Sequence, residues 1–469
     1  DVENPSTGQV ISRVPLSTEA ETNRAIESAH AAYQAWSRTP VSRRAQYLYD
    51  LLGLLKENEK QITLTLVEEM GKSIPDAYAE TKRAIENLEV ACGMPVLQQG
   101  EKLVGAADGI DAEVIRQPMG VFALIAPFNF PAMVPFWFFP YALATGNTYV
   151  MKPSELVPNT MRLITEYIDR TGLPAGVFNL VNGDKTVADA FMANPLVQGV
   201  SVVGSSRVCK IVASKCASEG KRFQAMGGAK NHLVVMPDAN LDKAIQNMIT
   251  SCYGCAGQRC MAASVIVCVG EDLYWNVCDK FIAASREVIT ANPLDPKVAY
   301  EPMVMGPVIS AKSKQFILDM IKTGIEEGAT LALDGRGLAI DGCENGYFIG
   351  PTVFTDVKPG MAIHSTEVFG PVVSIMQVDT LDEAIGVINA HQYGNGASIY
   401  TQSGHYARKF KLEANAGMIG VNVGIPAPVA YLPFGGMKAS LLSDIKAQGK
   451  AVVNFFTQDK IVTERFFDE

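Results

Sequence analysis

The chain has 469 residues, 48% of them apolar and 19% charged, with 40 basic against 49 acidic side chains and a net charge of −9. That length suggests about two to four domains, and the composition excludes a disordered or coiled-coil chain. The acidic balance offers no basic surface to nucleic acid or an anionic membrane, and the longest apolar stretch, 128–143, is broken by Asn129 and three prolines.

Residues 1–5 lack a basic region followed by an apolar one, so no signal peptide is expected. The expected compartment is the cytoplasm, or the mitochondrial matrix if a transit peptide preceded Asp1. Ala25, Ile26, Ala29, Ala32, Tyr33 and Trp36 recur at helical spacing, and a long helical region follows over 41–93. The β-type runs of 103–117 flank Asp108-Gly109, which predicts a hairpin. Four apolar runs then read as buried strands: 121–125, 148–151, 177–181 and 199–203. Helices are expected between and after them, near 158–172, 186–193 and 206–219, with Pro158 at a first-turn position. This alternation predicts a parallel, doubly wound sheet that binds nucleotides at its strand C-termini. A second α/β unit is expected from His232 to Val423, with strands near 233–236, 264–269, 372–378 and 418–422. Residues 451–461 read as a β-rich run with no neighbouring partner. The expected fold is α/β: a doubly wound parallel-sheet domain, a second α/β domain and a small β extension.

Nine cysteines are an odd count, and six of them fall between Cys209 and Cys268, which fits a reducing compartment with free thiols. The segment 253–261, YGCAGQRCM, follows a helical stretch whose pattern breaks at Gly254 and Gly257. A cysteine at such a break can face a cleft near backbone N–H groups and the Arg259 cation, which favours thiolate, the attacking form. The alternative is that Cys252, Cys255 and Cys260 are small buried hydrophobes. Their C-x2-C-x4-C spacing matches no common zinc pattern and shows no fourth ligand, so no metal is expected.

Gly257-Gln258-Arg259-Cys260 resembles the nucleophile signature of the aldehyde dehydrogenase superfamily. Four further segments match in order: 125–131 (IAPFNFP), 151–155 (MKPSE), 203–205 (VGS) and 367–371 (EVFGP). The resemblance spans nearly the whole chain. It implies NAD as cofactor, bound without a GxGxxG fingerprint, and Cys260 as nucleophile. Asn129 and the Cys260 N–H would then stabilise the oxyanion. Ala126 and Phe128 would lie against the cofactor. Lys152 and Glu155 would meet the adenosine ribose, with Glu155 disfavouring a 2′-phosphate, and Ser205 would open the helix that receives the pyrophosphate. Glu367 would take the nicotinamide ribose, with Phe369 near the ring. The implied divisions are an NAD-binding domain (1–102 and 118–228), a catalytic domain (229–440), and an oligomerisation hairpin and C-terminal strand (103–117 and 441–469), giving a homodimer or homotetramer.

Hydrolytic members carry a glutamate that activates water, and here that position is Met226. GAKNH, VMPDAN and QRCMA resemble the methylmalonate-semialdehyde dehydrogenases, a branch that lacks the glutamate and delivers its acyl group to coenzyme A. The implied substrate is a small carboxylated aldehyde, with Arg83 and Arg259 as partners for its carboxylate. The loop 423–429 resembles the branch's proline-rich loop, although Gly424 replaces a proline. Leu156 stands where a basic residue commonly follows KPSE.

Overall fold

The computed structural model describes residues 1–426 and 429–467. Two sheets organise the molecule. The first has five strands in the order Phe178–Leu180, Thr148–Lys152, Val121–Ile125, Val197–Val203 and Arg222–Met226, all parallel. The central strand, VFALI, is buried throughout, as a strand covered on both faces by helices must be. Chain order reverses across this strand, so the loops leaving Ile125 and Val203 open a crevice at the C-terminal edge.

The second sheet has seven strands, in the order Thr330–Leu333, Thr352–Thr355, Val372–Val378, Ala263–Val269, Asn231–Val235, Gly396–Tyr400 and Met418–Val421. All neighbours are parallel except the first pair. Three of these strands (330–333, 352–355 and 396–400) escape the sequence reading; none of them alternates apolar with polar residues. The chain passes from one sheet to the other within the four residues after Met226.

The predicted hairpin forms, Glu101–Ala107 with Ile110–Pro118, and a third strand, Thr457–Arg465, lies antiparallel to its second arm. The expected β-run over 451–461 begins differently. Gly449–Phe456 is a helix, because Val452, Val453, Phe455 and Phe456 fall on a buried face, with both phenylalanines packed edge-on against Phe122. The helical region over 41–93 resolves into Val41–Glu57, Glu59–Met70 and Ile74–Cys92. Its second break is at Gly71 (φ +81°), where a Cβ would meet Pro5 and Pro307 at 2.8 Å. Pro158 sits one position before its expected place, as the residue capping Asn159–Arg170. The first amides of that helix donate to the buried Glu69 carboxylate. Among the described residues, no helix is long and apolar enough to cross a membrane.

Candidate active site

Five-strand C-termini and seven-strand N-termini face each other, and the predicted residues collect between them. Asn129 follows the strand Val121–Ile125; Cys260 precedes Ala263–Val269; Glu367 and Phe369 precede Val372–Val378. The buried Asn129 side chain donates from Nδ2 to the Gln258 carbonyl at 3.0 Å, two residues before Cys260. A primary amide has two N–H groups, so one remains for another acceptor. The Asn129 carbonyl in turn accepts from Lys72 Nζ at 2.7 Å. Lys72 is wholly buried and ion-paired with Glu80, whose other oxygen takes the amides of Ala132 and Met133. A buried pair with every polar atom engaged is a rigid brace, and here it holds the Asn129 loop.

The turn before Cys260 is tightly constrained. Cys255 and Ala256 both have positive φ, 52° and 54°, which non-glycine residues adopt only where surroundings impose it. Asp76 supplies part of that imposition: it accepts from the Cys255 N–H at 3.1 Å and from Arg259 Nη2 at 2.5 Å. Arg259 Nε also points at Cys255 Sγ, 3.4 Å away. A Cβ on Gly254 would lie 2.3 Å from the Arg259 guanidinium, so only glycine leaves that space. Burial opposes the Arg259 charge, yet Asp76 and Cys255 raise its pKa above the ordinary arginine value. Burial likewise opposes ionisation of Asp76, but Arg259 and Lys72 hold its carboxyl below the usual range.

Cys260 opens partly on a pocket whose wall includes Asp76, Glu80, Arg83, Arg259 and Ile425. The expectation of a ready thiolate is not met in this state: burial, followed by the nearby Glu367 carboxylate, pushes the thiol up to about 12. The N–H groups of Cys260 and Met261, then Arg259, act in the opposite direction without prevailing. Arg83 is partly exposed and pairs with Glu86 one turn along its helix, at 2.6 Å.

A second, smaller cavity is lined by Ala229, Gly257, Glu367 and Phe369. Glu367 Oε1 accepts from the Ala229 N–H at 2.9 Å, and burial raises its pKa to about 7. Phe369 has φ +54° and meets Phe128 edge-on, centroids 5.8 Å apart. On the first sheet, the Ala126 N–H donates to the Lys152 carbonyl at 3.0 Å. Lys152 Nζ donates to the carbonyls of Pro153 and Gly183 and to Glu155 at 3.0 Å, which leaves the Glu155 carboxylate half-exposed at the strand end. Ser205 caps the helix Ser206–Ser218, accepting from Val208 N–H. Met226 is buried at the end of the last strand of the first sheet. Of the loop 423–429, residues 427 and 428 lie outside the described residues, and Gly424 lines the pocket.

Sequence reasoning missed Lys72, Asp76 and Glu80. The signal was present in part: Asp76, Glu80 and Arg83 are four and three residues apart, which puts them on one helix face. Nothing in the sequence announces Lys72, and Gln258 stands in the GQRC segment with no role read for it. Among the described residues, no group of three or more His, Cys, Asp or Glu side chains is placed to hold a metal ion.

The aldehyde dehydrogenase family model matches residues 1–462. The chain belongs to the aldehyde dehydrogenase family. It is therefore an oxidoreductase. It is 45% identical over 466 residues to a malonate-semialdehyde dehydrogenase of Pseudomonas aeruginosa, covering 99% of this chain and 93% of the relative. The solved methylmalonate-semialdehyde dehydrogenase of Oceanimonas doudoroffii superposes with a TM-score of 0.97 at 39% identity, over 100% of this chain and 95% of that one. An NAD complex of a Sinorhizobium meliloti protein, provisionally assigned as a methylmalonate-semialdehyde dehydrogenase, gives a TM-score of 0.97 at 42% identity, over 100% and 94%.

Proposed function

We propose that this chain is an NAD-dependent, coenzyme A-acylating semialdehyde dehydrogenase that converts malonate or methylmalonate semialdehyde to acetyl-CoA or propanoyl-CoA with loss of carbon dioxide. The observation that carries the reading is Met226. An apolar, buried side chain occupies the position where hydrolytic relatives keep a base for water. A thiol has a much lower pKa than water and needs less help to attack a thioester.

The dinucleotide fits the residues present. The crevice between the loops after Ile125 and Val203 is open at Gly204, where an added Cβ would meet nothing within 4 Å. The first turn of the helix beginning at Ser206 supplies N–H groups beside it. Lys152 and Glu155 would meet the adenosine ribose at the strand end, where the half-exposed Glu155 carboxylate would disfavour a 2′-phosphate. Glu367 and Phe369 would take the nicotinamide end. NAD, when bound, supplies the hydride acceptor.

In the proposed cycle, the Cys260 thiol gives its proton to water and its sulfur adds to the aldehyde carbon. The second Asn129 N–H and the Cys260 N–H receive the oxyanion. As hydride departs, the carbonyl re-forms as a thioester. Arg259, held rigid by Asp76, and Arg83, on its looser tether, would pair with the substrate carboxylate until its C–C bond breaks and carbon dioxide leaves; the electron pair left on the α-carbon is held as the thioester enolate and takes up a proton from water. Coenzyme A thiolate then displaces the Cys260 sulfur. The three-stranded sheet, with Leu103, Val104 and Ile461 exposed, suits a homo-oligomeric contact. Product analysis tests the reading: malonate semialdehyde, NAD and coenzyme A should give acetyl-CoA and carbon dioxide in equal amounts, whereas free malonate as the main product would overturn it.

A further inference from the structure

Two buried asparagines converge on one carbonyl, that of Cys260. Asn231 Nδ2 donates to it at 2.9 Å and Asn395 Nδ2 at 2.8 Å, which uses both oxygen lone pairs. Both side chains are at least nine-tenths buried, and each is fixed in turn. Asn231 Nδ2 also donates to the Ala262 carbonyl at 2.7 Å, and its Oδ1 accepts from the Gly396 N–H at 2.9 Å. The Asn395 amide also points at Met261 Sδ, 3.1 Å away. Asn395 has room because residue 436 is glycine; a Cβ there would lie 3.0 Å from the Asn395 backbone. The two residues stand at the starts of adjacent parallel strands, Asn231–Val235 and Gly396–Tyr400.

We infer that Asn231 and Asn395 are positioning residues for the Cys260 sulfur, acting through the peptide group between Cys260 and Met261. The inference rests on the reading of Cys260 as nucleophile. That peptide has its carbonyl oxygen bonded twice, and its N–H, belonging to Met261, is among the groups that draw the Cys260 thiol's pKa down. Donors on the oxygen draw electron density through the amide and make its N–H a stronger donor. The two asparagines therefore act on the one peptide group that adjoins the residue bearing the sulfur. Such dipoles lower the cost of ionising the buried thiol without placing a second cation beside it. Arg259 is already committed to Asp76.

The test compares wild type with Asn395→Leu and Asn231→Leu, substitutions of similar volume that remove the donors. Alkylation of Cys260 by iodoacetamide is followed by peptide mass spectrometry from pH 6 to 10, with NAD binding and melting temperature measured on the same samples. Asn395→Leu leaves the Asn231 bond in place and is the milder variant; Asn395→Ser removes bulk as well and serves if leucine does not fold. Each variant should shift the alkylation profile upward by about half a pH unit, so that Cys260 reacts roughly threefold more slowly at a given pH, with NAD affinity unchanged. If the asparagines only lace the strands together, cutting them loosens the turn, and alkylation stays equal or speeds up. That result overturns the inference. Slower alkylation in the variants, combined with NADH formation that survives complete alkylation of Cys260, would uphold the positioning and remove Cys260 as nucleophile.

Discussion

The two sheets meet the site with opposite ends, and they build their halves of it differently. The five-stranded sheet contributes strand C-termini, where Ala126, Lys152 and Ser205 follow directly from strand-to-helix connections. Their contacts reach less far along the chain: Lys152 binds Pro153, Glu155 and Gly183, the last 31 residues away, and Ser205 binds Val208. The seven-stranded sheet contributes strand N-termini, and its half is tied by side chains far apart in sequence. Asp76 reaches Arg259, Asn129 reaches Gln258, and Asn395 reaches Cys260. A binding cleft can be assembled from regular elements. A reactive sulfur held between a strained turn and a buried brace needs long-range polar contacts.

This contrast accounts for what the sequence discloses. Apolar runs and their spacing reveal four of the first sheet's five strands, all but Arg222–Met226, together with the hairpin and the strand-end residues, because those depend on neighbours in the chain. The motif around Cys260 identifies the nucleophile candidate by resemblance, yet its surroundings are illegible. Lys72 lies 57 residues before the carbonyl it holds, and no local rule links them. The thiol's high pKa is equally hidden, since it comes from burial and from Glu367, more than a hundred residues away in the chain. The C-terminal run misleads for the converse reason: β-branched and aromatic residues favour strand locally, and the buried face against Phe122 overrides that preference.

The largest expected effects fall on Cys260 in the seven-strand half and on the Asn129 loop that meets it from the five-strand half. Cys260→Ala should lower NADH formation by on the order of 10⁴–10⁶ while NAD affinity, set across the cleft, stays near wild type. Parallel loss of NAD binding would show that the halves are not separable. Asn129→Ala should reduce kcat by on the order of 10²–10³, the cost of one lost oxyanion donor. A loss below about fivefold in steady-state assays counts against that role.

The arginines sharpen the comparison within the pocket. Arg259→Ala should raise KM for malonate semialdehyde far more than for propanal, by on the order of 2–5 kcal/mol, because a buried carboxylate loses its partner. It also strands Asp76, so melting temperature should fall. Arg83, partly exposed and tied only to Glu86, should show the same substrate asymmetry at about tenfold in KM, with little change in melting. Equal losses on both aldehydes would make the arginines structural.

A further effect concerns stability and pH rather than turnover. Glu367 has a folded pKa of about 7 against an ordinary value of 4.5, so the folded chain binds this proton more tightly than the unfolded chain. Its contribution is fullest below pH 4.5 and is lost as pH rises to 7. Glu367→Gln keeps an acceptor for the Ala229 N–H and escapes that loss. Its stability relative to wild type, from denaturant titrations, should therefore rise between pH 5 and pH 8 by on the order of 2 kcal/mol. A pH-independent difference would mean that the carboxylate is not burdened by burial.

The most direct test of the acylating assignment is a rapid-mixing record of NADH with malonate semialdehyde, with and without coenzyme A. With Met226 in place of a base, the enzyme alone should give a burst of about one NADH per active site followed by slow turnover, and coenzyme A should restore fast steady turnover. Fast steady turnover without any thiol would contradict the assignment and show that water reaches the thioester by some other base.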